Sequence, residues 1–482
     1  MLETLRKQLP ADKDLPARAA RIDLLMRVLD GTIYDVLQYE FHQEQNGAGE
    51  YVRLCERRPS VRTGIIRTVV DDSVSLLFSE GHFPTVQAEN ERVVEALKAV
   101  TKDMQLNLIM VDAATRGSVG SICIWIRFLS KRVFATVLDT GMLTPIWKKD
   151  EPDVLERVEE RRKVTGKQLT AAGYAGMDDA TTYWFQRHWD ASAETWFVPL
   201  PVSDAEAQPA VDEGKTVTHN LGFVPMVWIK NLPGGNDIDG QATFDDDAVN
   251  TVMEADYQLS QAGRGLKYSS EPTLLLKEPA QSEGNFVRSA TNAIVVDKDG
   301  DAKLLEINGT ASEAVIKYVE KLRELAIEHL HGNRSNADKL SAAQSGRALE
   351  LLHQPLIWLA DRLRVTYGEG GLLKLYRMIV AGSQKFPLTI DGENFGKLDT
   401  SPKLSLNWPA WFPPTAGDLQ TLAQALSELI DGGVLSRQTA IKSIAAVFDI
   451  EDVAAEQLLI DAERKKLLAE LPTPQTKVSV NE

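Results

Sequence analysis

Apolar residues recur through the first 110 positions at intervals of three and four, the spacing of helices with one buried face. Leu24, Leu25, Val28 and Leu29 form one such stripe, and Gly31 follows as a stop signal. Ile65, Ile66, Val69, Val70 and Leu77 predict a helix over residues 60–78, ended by Gly81 and Pro84. Val93, Val94, Leu97 and Val100 predict another over 89–112. The pattern then shortens. Residues 118–129, 132–139, 183–189 and 193–198 are runs rich in β-branched and aromatic side chains, separated by breaks such as Asp139-Thr140-Gly141. The stretch 118–230 is therefore expected to form antiparallel sheet. Its clusters Tyr183-Trp184-Phe185 and Trp196-Phe197 read as packing residues rather than platforms for bases.

Beyond the sheet region the helical period returns. Asp245-Asp246-Asp247 suits the positive end of a helix dipole and opens a helix expected to reach residue 268, where Glu271-Pro272 closes it. Three short strands follow, at 273–276, 293–296 and 303–307, with Asp297-Lys298-Asp299-Gly300 as a hairpin turn between the last two. A second long helix runs to Gly332. Its Val315, Val319, Leu322 and Ala326 step by four, three and four, one stripe for packing against a neighbouring helix, and Glu313 stands four residues before Lys317. Residues 333–345 are polar and read as a loop. The next helix spans 346–379 and is expected to bend where Tyr367-Gly368-Glu369-Gly370-Gly371 lowers helix propensity. A short strand at 386–390 precedes further helices at 418–429 and 451–471, with Ser436 as a start signal between them. The fold class is α+β.

Charge changes the picture most. The chain of 482 residues carries a net charge of −16, whereas tight nucleic-acid binders gain affinity by neutralising phosphates with excess Lys and Arg. This excludes a tight binder but not a surface along which DNA slides without sticking. Cys55 and Cys123 lie far apart and outside any metal-ligand spacing, so no disulfide is expected and a reducing cytoplasm suits folding. The apolar run 119–129 is short and contains Arg127, so no membrane span or membrane partner is expected, and the opening residues lack a secretory pattern.

The chemistry-bearing motifs are missing from the sequence. Gly166-Lys167 lacks the glycine and the Ser or Thr of a phosphate loop, and neither a G-x-S-x-G elbow nor an H-E-x-x-H pair occurs. His329 and His331, two apart on a helix, point to different faces. Asn236-Asp237-Ile238-Asp239-Gly240 shares part of a calcium-loop pattern, but Gly235 would stand at position one and Asp246 at position twelve, so it reads as an acidic loop. No catalytic residue, metal or cofactor is expected.

The order of elements resembles the portal proteins of tailed double-stranded DNA bacteriophages, over most of the chain. The resemblance is carried by Asp71-Asp72-Ser73-Val74-Ser75-Leu76-Leu77-Phe78, by Gly117-Ser118-Val119-Gly120-Ser121 and by Asn220-Leu221-Gly222-Phe223-Val224-Pro225. It continues in Ala255-Asp256-Tyr257-Gln258-Leu259-Ser260, Glu271-Pro272-Thr273-Leu274, Ser345-Gly346-Arg347-Ala348-Leu349-Glu350 and Gly433-Val434-Leu435-Ser436-Arg437-Gln438-Thr439-Ala440. The chain departs from the pattern in a charged run, 156–167, which interrupts the expected strands.

The resemblance implies N-terminal helices and a β-rich wing at 1–240, stem helices at 241–271 and 310–332, and a clip between them at 272–309. It further implies a tunnel loop at 333–345, a long wing helix and connection at 346–414, and a helical crown with its tail at 415–482. The implied function is a non-enzymatic ring of about twelve copies at one capsid vertex, through which double-stranded DNA is packaged and ejected. Its implied partners are the terminase large subunit, a head-completion or adaptor protein, and the major capsid and scaffold proteins. The implied location is the virion, with host cytoplasm during assembly. Arg334, Asn336, Lys339 and Ser341 would face DNA, while Val315, Val319, Leu322 and Ala326 would pack stem helices within or between subunits. Two other classes stay open: an adaptor or scaffold without a DNA channel, and an α/β enzyme with an unrecognised site.

Overall fold

The computed structural model describes residues 1–9, 15–204, 208–270, 273–279, 296–305, 310–331, 353–411, 416–445, 450 and 453–470. The chain is α+β and divides into two compact units, one of Met1–Arg334 with Pro355–Asn407, the other of Ser335–Gln354 with Trp408–Glu482.

The first unit begins with helices α1 (Leu2–Gln8) and α2 (Ala17–Leu29), the latter ended by Gly31 with φ of 68°. A parallel pair, β1 (Tyr39–Glu40) and β2 (Arg57–Arg58), precedes α3 (Ile65–Phe78). This helix starts five residues later than its apolar pattern suggests. The reason is tertiary: the Val61 amide donates to Ser260 Oγ at 3.0 Å and the Thr63 amide to Asp256 Oδ1 at 2.8 Å. Those bonds to a distant helix replace the turn that α3 would otherwise have made. After β3 (Thr85–Gln87), the helix expected over 89–112 is two helices, α4 (Glu91–Asp103) and α5 (Leu106–Gly117). Asn90 caps α4 by accepting from the Arg92 amide at 3.1 Å. The break falls at Gln105, whose φ of 52° is left-handed, a conformation that no residue in that stretch signals.

Two sheets follow. β4 (Ser121–Leu129) lies between β5 (Arg132–Asp139) and β12 (Met226–Lys230) in an antiparallel three-stranded sheet. The run Ile122–Ile126 is buried without alternation because both faces are covered. One face meets α5, with Ile122 beside Gly117; on the other, Cys123 and Trp125 share a core with Leu143, Val158, Trp189, Val224, Met226 and Trp228. The larger sheet comprises β6 (Leu143–Trp147), β7 (Leu155–Thr165), β8 (Thr182–Trp189), β9 (Ala193–Trp196), β10 (Leu200–Pro201) and β11 (Val217–Thr218). A short helix, α6 (Gly166–Ala171), joins β7 to β8.

The charged run 156–167, expected to interrupt the strands, lies instead almost wholly in β7, between β6 and β8. Val158, Glu160 and Val164 point inward, and Glu160 is satisfied across the strand pair by Arg187, which also meets Glu194 at 3.5 Å. The Arg187 guanidinium lies over Trp189 at 4.3 Å and Trp196 at 5.1 Å, so aromatic faces supply much of its surroundings. Burial raises the Glu194 carboxyl above its usual range while Arg187 pulls it down.

The helical segment 354–383 is continuous but changes pitch. Its ends are α-helical, and Arg364–Leu372 forms a π-helix. The glycines that the sequence marked as a weak point fall within this wider stretch. Gly371 lies against the Ile229 side chain, and the Tyr367 hydroxyl, fully buried, donates to Asn231 Oδ1 at 3.1 Å. Asn231 Nδ2 in turn donates to the Gln241 carbonyl at 2.9 Å and Thr243 Oγ1 at 3.0 Å. One asparagine thus joins β12, the loop after it and the π-helix. Short pairs at β15 (Leu388–Ile390) with β16 (Glu393–Gly396), and β17 (Ser405–Asn407) with β3, complete this unit.

The second unit, taken by itself, holds helices Ala416–Asp431, Arg437–Ile444 and Val453–Glu470. Gly433 takes a left-handed φ of 67° after the first, and Ser436 caps the second by accepting from the Thr439 amide at 3.2 Å. Among the described residues of this unit, Ala440 and Ile441 are the buried apolar side chains, while Leu422, Leu429, Leu458 and Leu459 are exposed.

Candidate functional site

The acid-rich start at residue 245 produces helix α7 (Asp246–Ser270), with Asp245 Oδ1 accepting from the Ala248 amide at 2.7 Å. The buried face of α7 carries Val249, Val252, Met253 and Asp256, then Tyr257 and Ser260, the three- and four-residue steps of one helical stripe. Its lower half is polar because it grips the segment before α3. Asp256 Oδ1 accepts from the Thr63 amide and hydroxyl, each at 2.8 Å; Oδ2 accepts from the Tyr34 hydroxyl at 2.9 Å. Tyr257 donates to the Arg57 carbonyl at 2.8 Å. Burial pushes the Asp256 carboxyl up, against the pull of Thr63, Tyr34 and Arg62, and pushes the Tyr34 hydroxyl up with it.

From α7 the chain passes into β13 (Thr273–Pro279), returns through β14 (Val296–Leu305) and enters α8 (Thr310–His329). Thr273 pairs with Leu305 at the base of this antiparallel ribbon, so the strands leave and return at one place. The expected turn at 297–300 is not there. Those residues lie within β14, and the register jumps from Lys277↔Asp301 to Pro279↔Val296, leaving four residues opposite one. Their turn-forming chemistry produces an irregularity in the ladder, because β14 pairs with β13 and not with a strand of its own neighbourhood.

Helix α8 packs along α7 and touches α3. Its far end returns to the start of α7: His331, with its imidazole held below the usual value by burial and by Arg362, lies in the field of Asp245. Glu313 and Lys317 form the expected pair at 3.0 Å, with both side chains exposed. Leu322 and Ala326 are buried, as is Leu330 one turn on; Val315 and Val319 are half-buried. Tyr318 and Leu325 are exposed on one flank of α8, and Ile316 is exposed on the other. Ile316, Val319 and Ile327 also line a groove of about 550 Å³ with Ile65, Val69 and Leu259. Arg334, Asn336, Lys339 and Ser341 lie outside the described residues.

Two features near the hairpin escaped the sequence. Asp256 carries no motif that distinguishes it from the many other carboxylates, yet it holds two distant segments. Asp239, part of the calcium-like loop, spends its carboxylate on Arg18 in a paired contact at 2.7 Å from each oxygen and on Ser121 Oγ at 2.5 Å. The Arg18 guanidinium also donates to the Thr140 and Leu143 carbonyls, at 2.7 and 3.0 Å. The loop is therefore a clasp between α2 and the sheets. Among the described residues no group of three or more His, Cys, Asp or Glu is placed to hold a metal, and no helix is long and apolar enough to cross a membrane.

No family model and no curated protein matches the chain. Solved structures similar to it include the neck of a native gene transfer agent particle computed with C12 symmetry, at 10% identity and a TM-score of 0.36. That match covers 79% of this chain and 88% of the other. The neck of the empty particle, computed with C6 symmetry, gives the same identity, coverage and TM-score. The virion of the native gene transfer agent gives 0.34 at 10% identity and equal coverage.

Proposed function

We propose that this chain is a portal subunit, a non-enzymatic component of a ring through which double-stranded DNA enters and leaves a capsid. The α7–α8 hairpin carries the reading. Two long helices are tied at one end by a β-ribbon, and α8 buries one stripe while Ile316, Tyr318 and Leu325 stay in solvent. A helix of that kind is completed by a neighbour, and identical neighbours arranged head to tail close into a ring. The net charge of −16 favours a lining from which DNA is repelled rather than held.

In this reading the β13–β14 ribbon is where the terminase large subunit docks during packaging and a head-completion protein docks afterwards. Arg334, Asn336, Lys339 and Ser341 face the passing duplex. The ring stands at one vertex of the virion, among major capsid and scaffold proteins, and is assembled in the host cytoplasm. The subunit needs no nucleotide site of its own, because the motor supplies the energy.

Negative-stain electron microscopy of the purified chain, with its mass in solution, tests this. The expected result is rings with a central hole and a mass near twelve times 53.3 kDa. Replacing Tyr318 and Leu325 together by Glu should disperse them. A compact dimer or tetramer without a channel refutes the proposal and favours the adaptor or enzyme reading.

A further inference from the structure

A cavity of about 240 Å³ lies between α2, α3 and α7, apart from the open flank of α8. Its apolar walls are Val28, Ile33, Ile66, Val249, Val252 and Met253, all buried. Asp256, only 3% exposed, adds a carboxyl to this wall. A carboxylate can accept about four hydrogen bonds. Oδ1 takes two from Thr63, whereas Oδ2 takes one, from Tyr34. Oδ2 therefore keeps accepting capacity.

Arg67 of α3 and Arg62 just before it also line the cavity. Arg62 reaches the Gly31 carbonyl at 2.6 Å and Asp35 at 3.1 Å; Arg67 reaches Asp30 at 3.4 Å and Asp71 at 2.9 Å. These are exposed straps, and ion pairs of that kind yield readily. Asp30, Asp35 and Asp71 set three carboxylates against these two guanidiniums, so a cation is drawn in more readily than an anion. An apolar cavity of about 150 Å³ accommodates benzene. The larger space here fits an aromatic ring with a short polar arm.

We propose that this cavity is a binding site for a small apolar molecule bearing one ammonium group, its ring or branched chain among the six apolar side chains and its N–H donated to Asp256 Oδ2. A carboxylate of the same shape meets the Asp256 charge. An alcohol of the same shape can donate the hydrogen bond but brings no opposite charge. The assignment stands independently of the ring.

The test uses the full chain and four ligands of matched size: benzylamine, benzyl alcohol, toluene and benzoate, followed by isothermal titration and ligand-observed NMR. Benzylamine should bind at least about tenfold more tightly than benzyl alcohol, since a hydrogen bond between charged groups is roughly twice as strong as a neutral one. Benzoate should not bind. Met253→Trp, which fills the cavity, should abolish benzylamine binding while its circular dichroism stays that of the parent. Arg62→Ala, which leaves the cavity and removes one strap, should speed association. Absent benzylamine binding, equal binding of benzoate, or unchanged binding to a folded Met253→Trp chain overturns the proposal. The rank order of the ligands on the unmodified chain decides the matter even if Met253→Trp does not fold.

Discussion

The joint at Asn231 makes a quantitative claim about how β12 is fixed to the π-helix. Tyr367→Phe removes the donor to Asn231 Oδ1 and leaves that oxygen buried without it, at a cost of about 1–2 kcal/mol. Asn231→Ala does more. It strands the Tyr367 hydroxyl, which is fully buried, and takes the 2.9 Å donor from the Gln241 carbonyl and the 3.0 Å donor from Thr243. The Gln241 carbonyl keeps the Leu232 amide at 3.2 Å. Two groups, the Tyr367 hydroxyl and Thr243 Oγ1, therefore lose a partner at about 1–3 kcal/mol each, which puts the cost near 3–4 kcal/mol. In the double variant the hydroxyl is gone, so that part of the penalty disappears. The double variant should then be less destabilised than the sum of the singles by about 1–2 kcal/mol. Urea titrations followed by tryptophan fluorescence give the three differences by linear extrapolation. Additivity within about 0.5 kcal/mol would show that the two side chains do not share one penalty, and would refute the reasoning.

Three further outcomes follow from other contacts. Burial raises the Asp256 carboxyl above its ordinary value, so the folded chain keeps a proton there to higher pH than the unfolded chain does. Stability contributed by that proton is full below the ordinary carboxylate range and is lost as pH rises through the raised folded value, and Asp256→Asn should flatten this slope in urea midpoints measured from pH 3.5 to 7. Arg187→Met leaves Glu194 without its cation, and Glu160 with Arg162 alone, and should cost about 3 kcal/mol; adding Glu160→Gln should restore part of the loss. Gly382→Ala drives a methyl into the Phe128 ring and should cost about 1–3 kcal/mol, read as a lowered thermal midpoint, whereas the same change at exposed Gly81 should not.

The elements were legible where burial is one-sided. Residues 132–139 form a strand of those bounds, as their β-branched and aromatic content suggests, and the stripe at 65–77 is a helix, as its helical period suggests. Legibility failed where a long-range partner decided the outcome. The run 156–167 looked like an interruption because its inward Glu160 takes a buried partner from Arg187, 27 positions away, besides Arg162 on its own strand. The start of α3 shifted because Asp256 and Ser260, more than 190 positions along the chain, compete for its first amides. The hairpin was readable from two helical stripes around strand-like runs. Asp256 was not, since its meaning lies in Tyr34 and Thr63.

The π-helix alters how the long helix must be spelled. Leu359, Leu363, Tyr367, Gly371, Leu375, Ile379 and Ser383 are spaced by four and all are buried. On an uninterrupted α-helix six such steps rotate by about 240°, which would carry the last of them round to the far side. The wider turns at Arg364–Leu372 absorb part of that drift, so the segment keeps phase with a core that it would otherwise wind away from. One residue removed from this stretch would leave composition and hydrophobicity nearly unchanged yet turn everything beyond it to face elsewhere. The helix therefore tolerates substitution at its exposed positions, Trp358 and Val365 among them, far better than it tolerates a change in length.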